Sequence, residues 1–177
     1  MLVLGLDIST SISGATVLDS TGLMLYNESW DTRNKRHFPS IYHKARLIRD
    51  KLENIRDTYN IEKILIEQSL HSFRSGFSSA QTLSTLSRFN GIVSWLCSDI
   101  YQTEPHLIAA TTARKQAGLT IKRGENAKEK VLNFVVDSEP GFLVEYTKHG
   151  NPKPGSYDRA DSYIIAKAAL IWKSSTS

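Results

Sequence analysis

The chain opens on an apolar run, Leu2 to Leu6, followed at once by Asp7. A run without alternation reads as a strand buried on both faces, and it delivers Asp7 at its carboxyl end. A second strand is predicted from Gly14 to Leu18. After a turn at Asp19-Ser-Thr-Gly22, an alternating third strand runs from Gly22 to Trp30. These three make an antiparallel meander. Asp31 to Pro39 is polar and basic, hence a loop. Ile41, Ala45, Ile48, Leu52, Ile55 and Tyr59 then recur at a spacing of about 3.6 residues, which predicts an amphipathic helix opened by Pro39-Ser40.

Ile61 to Glu67 is the next predicted strand, and it too ends in an acid. A strand reached through a helical crossover pairs parallel to the first strand. Parallel neighbours bring their carboxyl ends to one edge, where open α/β sheets build their sites. Asp7 and Glu67 should meet there.

His71 to Phe77 has no regular period and reads as a loop. Ser79 to Tyr101 resumes helical spacing through Leu83, Leu86, Val93, Leu96 and Ile100, and Gly91 within it suggests close packing. Pro105 to Ala110 is a short last strand. Thr111 or Thr112 caps a short helix through Ala117, and Leu119 to Glu125 is a basic loop. Asn126 to Val136 is a helix with Ala127, Val131 and Phe134 inward. Ser138 to Gly155 is rich in Gly and Pro and reads as loop, and a final helix runs from Ser156 to Lys173. The expected fold class is α/β, a mixed five-stranded sheet flanked by helices. It forms a single domain over 1–173, with a frayed tail at 174–177.

In the final helix Asp158 and Asp161 are three residues apart and share a face, which continues as Ile165, Ala168 and Trp172. Two carboxylates at the head of an inward stripe repel unless a cation lies between them. A first-turn preference for acids explains their position but not the apolar continuation. Asp7 as a simple turn cap through Ser9 and Thr10 explains one acid and not four. Ser9 and Thr10 are read as holding the turn. Four carboxylates from three elements form an all-oxygen site suited to Mg2+ or Mn2+. Two such ions roughly 4 Å apart activate water and stabilise the leaving oxygen in phosphodiester hydrolysis.

Composition narrows the partners. The net charge is +4, and committing four acids to metal doubles the positive excess on the remaining surface. Positive charge clusters at Arg33 to His37, at Lys44 to Arg56 and at Arg114 to Lys130. Arg114, Lys115, Lys122, Arg123, Lys128 and Lys130 are the candidate DNA-binding cations. Phe73 and Phe77, in the loop after Glu67, are candidates to stack on unpaired bases. The single cysteine, Cys97, rules out an intrachain disulfide and a cysteine-rich zinc site, and burial is its expected role. No apolar run approaches the roughly 20 residues of a membrane span, and no secretory signal is visible. The expected location is cytoplasmic, nucleoid-associated, or the host cytoplasm for a viral protein.

Four pieces of the sequence resemble the RuvC-type Holliday junction resolvases of the RNase H-like superfamily. They are Gly5-Leu-Asp7, Ile66-Glu67-Gln68, Asn126-Ala-Lys128-Glu-Lys-Val131 and Asp158-Arg-Ala-Asp161-Ser. Each is short, but their order and spacing span Leu2 to Ala169. The resemblance implies that Asp7, Glu67, Asp158 and Asp161 are catalytic metal-binding acids and that Lys128 lies near the scissile strand. It also implies a homodimer that cuts two symmetric strands of a four-way junction. The helix Ser79–Tyr101, apolar over a wide arc through Phe89, Ile92, Trp95 and Leu96, is the expected interface. Three departures stand out. Ile8-Ser9-Thr10 follows the first acid where bacterial members have Pro-Gly. Leu70 and His71 stand where an aromatic is usual. The loop before the second helix is also several residues longer. These departures suit a viral or divergent member.

Two other readings remain open at this stage. One is another RNase H-like nuclease acting on RNA–DNA hybrid, branched or single-stranded DNA. The other is a fragment of the actin and sugar-kinase type, for which the chain has no room for a second nucleotide-binding lobe.

Overall fold

A computed structural model of the chain describes residues 1–68 and 80–172. The loop bearing Phe73 and Phe77, the residues Leu70, His71 and Ser79, and the tail from Lys173 lie outside them. The elements in order are β1 (Leu2–Asp7), β2 (Ile12–Asp19), β3 (Met24–Asp31), α1 (Ile41–Thr58), β4 (Ile61–Glu67), α2 (Ala80–Tyr101), β5 (His106–Ile108), α3 (Ala110–Gln116), α4 (Ala127–Ser138) and α5 (Ser156–Ile171).

The sheet order is β3-β2-β1-β4-β5. The meander pairs antiparallel, and β1, β4 and β5 pair parallel. The expected mixed sheet is therefore present. Its apolar strands are buried on both faces, as a sheet covered by helices requires. On one face Leu4, Leu6, Ile64 and Ile66 pack against Ile48 and Leu52 of α1 and Phe89 and Val93 of α2. On the other, Val3, Leu18 and Leu65 pack against Val131 and Val135 of α4 and Ile164, Ile165 and Ala168 of α5. Cys97 is fully buried, which pushes its thiol up to about 12.

Three local readings are corrected. Helix α3 starts at Ala110 with Ala109 as its N-cap, so neither Thr111 nor Thr112 caps it. Both are β-branched hydroxyl residues that fit a cap or a first turn, and here they take the first turn. Asn126 precedes α4 and caps it, its side chain accepting from the Lys128 and Glu129 amides. Gly91 is not a close-packing site: among the described residues, a Cβ built there meets nothing within 4 Å. A glycine in a helical pattern marks either close contact or a bare surface, and here it lies on the outward side of α2. The segment between α4 and α5 is irregular apart from one bridge, Tyr146 to Pro152.

Candidate active site

The site is built where β1 and β4 end. Leu6 pairs with Ile66 in parallel register, so Asp7 and Glu67 leave the sheet side by side. Asn90, a buried polar residue in the apolar face of α2, donates from Nδ2 to the Glu67 carbonyl at 3.0 Å and ties the end of β4 to that helix. The turn after Asp7 closes on itself. The Ser9 amide donates to Ser13 Oγ at 3.1 Å, and the Ser11 amide donates to Ser9 Oγ at 3.2 Å. Ser9 thus holds the turn, as read from the sequence. Lys44 of α1 donates to the Thr10 carbonyl and fastens the same turn from the other side.

Helix α5 brings the other two acids by lying directly on β1 and β2. A Cβ on Gly5 would stand 2.3 Å from the Ala166 amide nitrogen, and one on Gly14 would stand 1.9 Å from the Asp158 carbonyl oxygen. No side chain fits at either position, and this clearance sets the first turn of α5 against the end of β1, where Gly14 pairs with Asp7. A buried hydrogen bond of 2.8 Å joins Thr16 of β2 to Ser162 of α5. Asn27 of β3 accepts from Arg159 Nε at 2.6 Å and donates to the Arg159 carbonyl at 3.1 Å. The acids flanking this anchor, Asp158 and Asp161, are held by a rigid frame.

The electrostatics bind the four acids into one site. Burial pushes the Asp7 carboxyl well above the ordinary carboxylate range, and the negative charges of Glu67, Asp161 and Asp158 push it further. Glu67 is pushed up to about 7 by burial and by Asp161, against the pull of Arg114 and Lys128. Asp161 and Asp158 are also raised, chiefly by burial. Lys128, from the first turn of α4, opposes the rise at all four acids. Arg114 of α3 reaches Asp161 Oδ1 at 3.6 Å.

This donor set fits a hard divalent cation in its chemistry: all ligands are oxygens, partly desolvated, and like charges crowd without enough compensation. Among the described residues no three His, Cys, Asp or Glu side chains are drawn into a ready ligand shell.

Of the other predicted cations, Lys130 is paired with Glu125 at 2.9 Å. Lys115, Lys122, Arg123 and Lys128 are exposed. Arg33, read from the sequence only as the start of a basic cluster, also lowers Asp158. The role of Asn90 was visible in the sequence only as a polar residue inside an apolar stripe. The pairing of Arg114 with Asp161 left no local signal.

No known sequence family matches the chain. No curated protein matches it in sequence. Solved structures are similar in fold. Thermus thermophilus RuvC in complex with a Holliday junction substrate superposes with a TM-score of 0.66 at 14% identity, covering 95% of this chain and 91% of that one. A second Thermus thermophilus RuvC structure gives 0.64 at 16%, covering 95% and 92%. The yeast mitochondrial Holliday junction resolvase gives 0.61 at 16%, covering 96% and 78%. The fold is that of the RuvC-type resolvases, carried by a divergent sequence.

Proposed function

We propose that this chain is a metal-dependent, structure-selective endonuclease that resolves four-way DNA junctions by paired, symmetric cuts. The observation that carries the reading is the gathering of Asp7, Glu67, Asp158 and Asp161 at one sheet edge, with the positive charge of Lys128 acting on all four. The likeness in fold to a RuvC whose structure holds a Holliday junction substrate supports the choice of substrate.

In this reading the four carboxylates would hold Mg2+ or Mn2+, two per site, and such ions, when bound, would activate water and stabilise the leaving oxygen. The protein's own groups do the rest. β1, β4 and α5 fix the acids, Asn90 and the Ser9 turn keep their backbone in place, and Lys128 and Arg114 offset charge on the phosphate being cut. End-labelled four-way junction, linear duplex and RNA–DNA hybrid, incubated side by side with Mg2+, test the substrate. Cutting confined to the junction is expected, and preferential cutting of the hybrid contradicts the reading.

Binding rests on phosphate contacts through Arg114, Lys115, Lys122, Arg123, Lys128 and Lys130, so log affinity should fall linearly with log salt and depend little on sequence. Because the charge of Lys128 acts on all four acids, Lys128→Ala should reduce cleavage about tenfold or more while weakening binding only slightly. Equal losses in both would make Lys128 a positioning contact alone.

Two cuts in one encounter call for two copies with their sites on the same side, as a two-fold dimer provides. Helix α2 divides its apolar arc. Phe89 and Leu96 are buried in their own fold, whereas Trp95 is 58% exposed beside the bare Gly91. Tyr42, Arg46 and Arg49 of α1 share a groove with it. We place the dimer contact on that outward strip. Sedimentation should give about twice the 19.9 kDa chain mass, and Trp95→Glu should give a monomer that nicks junctions singly. A Trp95→Glu protein that remains dimeric would move the interface elsewhere.

A further inference from the structure

Beside the carboxylates lies a cleft of about 440 Å³, lined by Thr111, Arg114, Lys115, Leu119, Thr120 and Ile121. Its shape follows from the chain reversal after α3. Gly118 has φ +88, a left-handed conformation that favours glycine. The Leu119 amide then donates to the Arg114 carbonyl at 2.8 Å, which folds 119–121 back alongside the helix. Leu119 and Ile121 pack against the core beneath and form an apolar floor. Arg114 and Lys115 supply positive charge, and Thr111 and Thr120 supply hydroxyls. Arg114, which lines the cleft, also reaches Asp161 at 3.6 Å, so this one residue joins the cleft to the catalytic edge.

We propose that this cleft takes one unstacked nucleotide of the cut strand, adjacent to the scissile phosphate. The inference rests on the nuclease reading above and deepens it. The volume lies within the roughly 300–1,000 Å³ of small-ligand sites, the size class of a single nucleotide. The apolar floor matches a base face, and the two cations match its flanking phosphates. The hydroxyls match the donors and acceptors on a base edge. A nucleotide leaves its stack at least cost where stacking is already interrupted, as at a strand crossover. The cleft thereby gives a physical reason for preferring branched over linear DNA without reading sequence.

The test uses full-length Asp7→Asn protein, which leaves the cleft residues unchanged and is expected not to cut. Four-way junctions carry 2-aminopurine at each position flanking the cut mapped with the unaltered protein. Binding should raise fluorescence several-fold at one position and leave its neighbours unchanged. Adding Thr120→Glu, which sets a carboxylate in the cleft that Arg114 and Lys115 line, should return that signal to background at an unaltered melting temperature. Thr120→Ser should retain it. In the cutting-competent protein, Thr120→Glu should slow junction cleavage tenfold or more, and an abasic residue at the responsive position should do the same. Junctions that are bound and cut with no fluorescence rise at any flanking position overturn the nucleotide site. So does cleavage indifferent to the abasic residue, which would leave phosphate contact alone. Failure of the unaltered protein to bind or cut junctions overturns the nuclease reading together with this one.

Discussion

Asp7→Asn protein is expected to bind junction DNA and fail to cut it, with cleavage down by about a thousandfold or more. Asp7 sits at the centre of the constellation: Glu67, Asp161 and Asp158 all press on its carboxyl, and burial presses hardest. Asparagine keeps the shape and one oxygen but removes the charge that a hard cation requires. The same change relieves repulsion in the metal-free fold, so the variant should melt at or above the temperature of the unaltered protein. Activity and stability therefore move in opposite directions, which separates a site residue from a core residue. Cleavage retained by purified Asp7→Asn protein would remove the metal assignment.

The second large effect is a dependence of stability on pH that divalent metal reverses. In the metal-free protein Glu67 titrates at about 7 instead of its ordinary 4.5. Between those values the folded state holds a proton that the unfolded chain has already released. Stability is then full below about pH 4.5 and is lost as pH rises through 7. Asp7, Asp158 and Asp161 are shifted in the same direction and add to the loss. The cost at neutral pH is on the order of a few kcal/mol, and each kcal/mol moves the melting temperature by about 2–4 °C in a chain of this size. Asp31 and Glu28, held low by Arg33 and Lys51, pull the other way. The informative quantity is therefore the difference between unaltered and Glu67→Gln protein. Without metal the variant should melt several degrees higher at pH 7.5 and equally at pH 4. Saturating Mg2+ should raise the melting temperature of the unaltered protein and not that of Glu67→Gln. Parallel melting curves across this range would show that Glu67 is not desolvated among like charges.

The acids were legible because each is placed by a local pattern. Two end apolar runs that can only be buried strands, and two head an inward helical stripe. The order of the first four strands followed from the meander and one crossover, whereas the place of β5 beside β4 came from the structure. What the sequence did not disclose is how α5 crosses the sheet. Gly5 and Gly14 are ordinary strand glycines until a helix backbone is laid against them, and that contact joins residues about 150 positions apart. The Arg114 to Asp161 pair is non-local in the same way. Gly91 misled because a glycine in a helix looks the same whether a neighbour presses on it or none does. On α2, spacing alone showed a wide apolar arc. It did not show which part the fold itself consumes, and the structure leaves Trp95 outside while burying Phe89.

The most direct measurement is cleavage of a supercoiled plasmid that extrudes a cruciform from an inverted repeat, in Mg2+, followed by mapping of both strands. The account predicts linear product, with symmetric cuts at the base of the cruciform that appear within one binding event. It also predicts that neither Asp7→Asn protein nor a plasmid lacking the repeat yields that product. Nicked circles without linear product, or equal cutting of the plasmid without the repeat, would contradict it.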